Sequence, residues 1–259
     1  MGRFLYRLLN GLFSLVMISA LLPCGAYAVY ALWDNSRIYE EASGVQADML
    51  RVKPAADSPD GPSFEELRSI NPDVCAWISL SNTKIDHPVL QGRDNIEYIN
   101  RNVYGEFSLA GSIYLDARCA PDFGRPYALL YGHHMENGGM FGDLDLYKDK
   151  AFFEENDAGL LLLPGLTYEL EIFACLIVAA SDDYIFEPER WKDQAGELLD
   201  YVRQHALHQR NHVIDGLQSA KEPAIIALTT CSGEFTNART VVLAGMRRQE
   251  GLRKEAAFE

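Results

Sequence analysis

The sequence predicts a mainly β domain, of barrel or sandwich type, carried behind one apolar N-terminal span. Three observations lead there. Seven short runs rich in β-branched and aromatic residues recur between turn signals: AWISL, KIDHPVL, GSIYLD, YALLYG, TYELEIFACLIVA, AIIALTT and TVVLAG. Only PERWKDQAGELLDYVRQHAL places apolar residues near helical spacing among charges, at Trp191, Leu198, Leu199, Val202 and Ala206. Residues 8–33 carry no charge. Closely spaced strands with one helix fit an all-β architecture better than a wound α/β sheet, which alternates the two.

The chain of 259 residues, 48% hydrophobic and 23% charged, is long enough for one substantial domain and an appendage. With 23 Lys+Arg against 37 Asp+Glu, its formal charge of -14 repels phosphate backbones and argues against a nucleic-acid partner. Five cysteines, none in a CxxC pair, do not make a disulfide framework. Cys75 and Cys175 sit inside apolar runs, as inert buried thiols do.

Taken in order, residues 1–7 form a short basic start with Arg3 and Arg7. Residues 8–33 exceed the ~20 apolar residues a helical membrane span requires. Pro23 is compatible with a span. The arginines before it, and Asp34, Glu40 and Glu41 after it, place the N-terminus in the cytoplasm and the remainder outside. Tyr27, Tyr30 and Trp33 suit an aromatic belt at the outer interface. The rival reading is a cleaved secretory signal ending near the small-x-small AYA at residue 28. Residues 34–62 read as a stalk, in which SRIYEEASGVQADMLRV forms a helix until KPAADSPDGP breaks it. Ser63 followed by Glu66 is a capping pattern that opens the folded domain, assigned to 63–250, with a tail at 251–259.

Two constellations could carry chemistry. In AIIALTTCSGEFTNARTVVLAG one apolar run ends at Thr229, Thr230 and Cys231, and another begins just after Arg239. Two antiparallel strands joined by a loop would expose the Cys231 thiol and return Arg239 beside it. A guanidinium there favours thiolate or stabilises an oxyanion on an attacked carbonyl. In YALLYGHHMENGGMFGDLDLY a strand-like run ends at His133 and His134. Neighbours on an extended chain face opposite sides, so only one of these two can face Cys231, and the two cannot readily chelate one metal. His87, His205, His208 and His212 show no metal-ligand spacing with them, and neither a metal nor a cofactor is expected.

Five motifs in this order resemble the sortases, and within them class B: NTKIDHPVLQ, GSIYLDAR, LLYGHHMENGGMFGDL, SDDYIF and LTTCSGEFTNARTVVLAG. The resemblance covers residues 64–248. It implies an eight-stranded β-barrel with short helices, one of them, at 188–207, between strands six and seven. It also implies Cys231 as nucleophile, His133 rather than His134 as acid/base, Arg239 as their partner, and Thr229 and Thr230 along the substrate groove. The implied activity is transpeptidation: a C-terminal sorting signal of an exported protein is cut after Thr through a thioester. An amine of a peptidoglycan precursor or a pilin Lys then takes the acyl group. This sets the domain outside a membrane to which the N-terminal helix anchors it. His87 stands where Tyr is frequent in the family, and Ser232-Gly233 replaces a bulkier pair, which bears on the sorting motif accepted. The alternatives are an extracytoplasmic cysteine protease that hydrolyses the same thioester, and a non-catalytic membrane-tethered β-domain.

Overall fold

The computed structural model describes residues 1–54, 63–192 and 195–249. Part of the expected stalk (55–62), two positions of the expected helix (193–194) and the tail (251–259) lie outside the described residues. The chain forms two compact units, Met1–Glu41 and another that starts at Ala42.

The first unit is helical throughout, as the start of α1 (Gly2–Arg51), with Pro23 inside the helix. Its apolar side chains are exposed, and a window of mean hydropathy 2.0 makes it long and apolar enough to cross a bilayer.

The second unit includes residues 42–54, part of the expected stalk, because Met49 is buried with Leu67, Trp77, Leu90 and Tyr98. Gln46 Nε2 also donates to the Lys84 carbonyl at 2.8 Å. The charged and small residues around Met49 mask a narrow apolar stripe, formed by Val45, Met49 and Val52, that packing rather than composition reveals. After it, α2 (Phe64–Ile70) starts at Ser63, whose hydroxyl accepts from Glu66 N at 3.4 Å. It buries Leu67 completely, a contribution of about 2 kcal/mol.

Eight strands close into a barrel in the order β5 (Ala158–Leu163), β1 (Val74–Leu80), β2 (Asp86–Leu90), β3 (Ile113–Leu115), β4 (Tyr127–Tyr131), β8 (Ile225–Cys231), β9 (Ala238–Arg248) and β6 (Leu166–Ala179), with β6 pairing back to β5. A two-residue strand, β7 (His208–Gln209), adds to β6 outside that circuit. Two pairings, β2–β3 and β4–β8, are parallel. The strand β5 is absent from the seven runs read in the sequence. Its AGLLLL has no β-branched or aromatic residue, so the barrel's pairing overrides a weak local preference.

The connection from β6 to β8 carries the helices. The single helix expected at 188–207 is instead a 3-10 turn (Pro188–Trp191) followed by α5 (Gly196–His205). Trp191 is held by its indole N–H, which donates to the Tyr184 carbonyl at 2.9 Å, while Gly196 suits the start of a helix better than its interior. Two more helices flank them, α4 (Asp183–Phe186) and α6 (Asn211–Ser219). Between β4 and β5, η1, a 3-10 helix (Gly142–Lys148), is anchored by fully buried Leu144 and Tyr147 and is followed by α3 (Lys150–Glu155).

Candidate active site

Parallel pairing of β4 with β8 aligns their ends. Tyr131 is the register partner of Thr229, and Gly132 N donates to the Thr229 carbonyl at 3.1 Å. Two residues beyond the end of β4, His133 lines the same groove as Cys231 at the end of β8. The antiparallel β8–β9 ladder then makes Arg239 the partner of Cys231. His133, Thr229, Thr230, Cys231 and Arg239 therefore line one open groove of about 430 Å³.

Gly132 is required where it stands. A Cβ there would lie 2.5 Å from the Ile113 side chain and 2.7 Å from the Phe141 ring. The absence of that atom lets β4 run close to its neighbours before it delivers His133. His133 Nε2 donates to the Ile99 carbonyl at 2.8 Å, since a carbonyl can only accept. That bond orients the ring. The Ile99 carbonyl is itself backed by Gly111, at φ 61°, where a Cβ would collide with it.

His134 does not face the groove. Its Nε2 lies 3.1 Å from Asp145 Oδ2, on the other side of the strand end. Of the two histidines, His133 is the one that lines the groove with Cys231.

Cys231 is exposed, and Cys24 is the other exposed cysteine. Cys75, Cys119 and Cys175 are buried, and burial pushes each thiol up to about 12. Arg239 Nη1 donates to the Ala238 carbonyl at 2.9 Å, and Ser232 N to the same carbonyl at 3.0 Å, which tightens the turn after Cys231. Thr229 Oγ1 donates to the Leu130 carbonyl at 3.0 Å, whereas Thr230 Oγ1 is buried without a hydrogen-bond partner among the described residues.

Sequence reasoning assigned no role to the groove's polar floor. Asp116 is fully buried and accepts from Arg118 Nε and Nη2, each at 2.9 Å, Tyr131 Oη at 2.9 Å and Asn95 Nδ2 at 2.8 Å. Burial pushes its carboxyl up, but the Arg118 and Tyr131 hydrogen bonds outweigh that and hold it below the usual range. Arg118 Nη1 reaches on to Glu187 at 2.9 Å and Nη2 to the Phe186 carbonyl at 2.8 Å, fastening the β6–β8 connection to the groove. Tyr114, Tyr131 and Phe186 stack in series, with ring centroids 5.2 and 6.4 Å apart. The available signal was the Asp-x-Arg spacing in GSIYLDAR. Among the described residues no group of His, Cys, Asp and Glu could hold a metal ion.

No family profile matches the chain. Over 175 residues it is 34% identical to Sortase B of Listeria monocytogenes, covering 66% of this chain and 68% of that one. A class B sortase of Streptococcus pyogenes involved in pilus biogenesis superposes with a TM-score of 0.65 at 34% identity, covering 71% of this chain and 97% of that one. A Staphylococcus aureus sortase B–substrate complex gives 0.62 at 26% identity, covering 83% of this chain and 97% of the other. The closed eight-stranded barrel and these relatives agree in what they imply: the chain belongs to the class B sortases and is a cysteine transpeptidase.

Proposed function

We propose that Cys231 is the nucleophile of a membrane-anchored transpeptidase acting on the C-terminal sorting signals of other exported proteins. The observation that carries this reading is the convergence of three strand ends, those of β4, β8 and β9, on one open groove. Cys231 is the exposed cysteine in that groove.

In the first half-reaction the Cys231 sulfur attacks the carbonyl carbon of a Thr in the signal. The C–N bond breaks, the acyl group becomes a thioester, and the thiol proton passes through His133 Nδ1 to the departing amine. Arg239 stabilises the oxyanion of the tetrahedral intermediate. In the second half-reaction an acceptor amine attacks the thioester, forms a new amide and returns the proton to sulfur through the same imidazole. Thr229 and Thr230 wall the groove, and the Tyr114–Tyr131–Phe186 stack offers an apolar surface for the signal. A peptidoglycan-precursor amine is one acceptor, and the relative involved in pilus biogenesis keeps a pilin Lys as the other. The apolar part of α1 holds the enzyme to the membrane, so residues 1–7 stay cytoplasmic and the domain works outside.

The test uses the full chain in detergent micelles with a sorting-signal peptide and a high concentration of amine. Transfer product is expected, Cys231→Ala should lower turnover by at least about 1,000-fold, and Arg239→Ala by about 100-fold. Hydrolysed peptide alone, even at high amine, would sink the transferase reading in favour of a protease. Undiminished turnover by Cys231→Ala would remove Cys231 from the chemistry.

A further inference from the structure

Behind the groove, the residue that follows each proposed catalytic residue is tied to one ion pair on η1. His134, after His133, donates from Nε2 to Asp145 Oδ2 at 3.1 Å. Thr240, after Arg239, donates from Oγ1 to Asp145 Oδ1 at 2.7 Å. Ser232, after Cys231, accepts at Oγ from Lys148 Nζ at 3.0 Å. Lys148 Nζ closes the arrangement by pairing with Asp145 Oδ1 at 2.8 Å and Glu234 Oε1 at 2.5 Å.

We propose that Asp145 and Lys148 form a single clamp that sets the mutual register of Cys231, His133 and Arg239 from the face opposite the groove. The proposal rests on the catalytic assignment made above. The two are positioning residues and touch no reacting atom.

Arg239 and Thr240 are successive in β9, where side chains point to opposite faces. Ser232 and His134 each directly follow a proposed catalytic residue at the end of β8 or beyond β4, so holding the second residue of each pair constrains the first. Three strand ends that meet only through the barrel ladder could each splay at its terminus, where ladder hydrogen bonds run out. One rigid element that grips all three removes that freedom. The 3-10 geometry of η1 suits it, because side chains three residues apart eclipse, and Asp145 and Lys148 have that spacing.

The platform is independent of the clamp. Phe141, Leu144 and Tyr147 are fully buried beneath η1, and the Lys148 carbonyl accepts from His208 Nε2 at 2.8 Å. The clamp itself is shielded rather than washed by solvent, the Lys148 side chain being 19% exposed and that of Asp145 34%. Burial raises the Asp145 carboxyl, yet its bonds from Lys148 and Thr240 hold it below the usual range, so the pair stays charged at neutral pH.

Full-length Asp145→Asn, Lys148→Met and Lys148→Arg are compared with the parent chain in peptide transfer, with thermal melting in parallel. Asp145→Asn and Lys148→Met are expected to lower kcat by about 10- to 100-fold with KM within about threefold, as misplacement of reacting groups by a fraction of an ångström does. Lys148→Arg should recover most of that loss. Parent-like kcat in both variants overturns the clamp, and so does a loss that merely follows a lowered melting temperature and is not rescued by Arg. Ser232→Ala keeps the test decisive if Asp145→Asn does not fold. A fall in kcat of about three- to tenfold is expected from it, and none refutes the clamp. If Cys231→Ala is inactive while these variants are fully active, only the clamp fails. If Cys231→Ala is active, the catalytic assignment itself is at fault.

Discussion

Asp116 and His87 are both buried polar side chains close to the β2–β3 pairing, and they are treated in opposite ways. Asp116 is wholly buried and has a donor for every lone pair the site needs, from Arg118, Tyr131 and Asn95. His87 is 6% exposed, sits in β2 beside a pocket bordered by Met49, Met140 and Val103, and its Nε2 has no hydrogen-bond partner among the described residues. A charge can be stored under a groove when its partners also build that groove. An unpartnered imbalance can be stored only by keeping the group neutral. The first arrangement organises the substrate side of the barrel, and the second leaves a pH-sensitive point under the segment that begins at Ala42.

The comparison breaks most sharply at Asp116. Asp116→Ala leaves the Arg118 guanidinium, half-shielded at 34% side-chain exposure, facing orphaned Tyr131 and Asn95 donors. A loss of about 3–5 kcal/mol in urea unfolding is expected, as when one partner of a buried pair is removed. The loss should be accompanied by weaker peptide binding, because Arg118 no longer fastens Phe186 and Glu187 to the groove. A cost below about 1 kcal/mol would mean that the cluster is ornamental to the fold.

What could be read in the sequence follows the range of the physics. Cys231 was legible because an apolar run visibly ends at a loop, and Arg239 because the next run begins there. The alternation rule excluded one of His133 and His134, but which one depends on where Asp145 lies, and Asp145 is set by η1. The parallel alignment of β4 with β8 joins segments about a hundred residues apart, and no local propensity encodes it. Leu-rich β5 was invisible for the complementary reason, since its residues lean toward helix until β1 and β6 pair with it. The inclusion of residues 42–54 in the folded unit and the floor around Asp116 are likewise products of packing. The Asp-x-Arg spacing of GSIYLDAR marks a pair, but it does not say that Asn95 and Tyr131 join it.

The second break lies at His87. Burial pushes its imidazole down to about 4, against the nearby Asp86, which favours the cation. Unfolding releases the ring to its ordinary value of about 6.5, so between those values the unfolded chain binds a proton that the native one does not. Stability should therefore fall as pH drops from about 6.5 to about 4, by roughly 3 kcal/mol from this group alone. Urea unfolding at steps across that window measures it as the difference between the parent chain and His87→Phe. Identical pH slopes in the two would show that the imidazole is not the source.

Tyr131→Phe sharpens the contrast at its smallest scale. It removes one donor from Asp116 and leaves Arg118 and Asn95 in place, so the carboxylate keeps three of its side-chain bonds. A hydrogen bond to a charged group contributes about 1.5–3 kcal/mol, and the low end is expected here because Arg118 can tighten its grip. The ring stack with Tyr114 and Phe186 survives the change, which confines the effect to the lost O–H. A loss as large as that of Asp116→Ala would mean that the cluster fails as a unit when any member is missing. A loss near 1.5 kcal/mol, with His87→Phe almost neutral at pH 8, would show that a satisfied buried charge yields stability piece by piece, whereas an unsatisfied imidazole has nothing to lose until it is protonated.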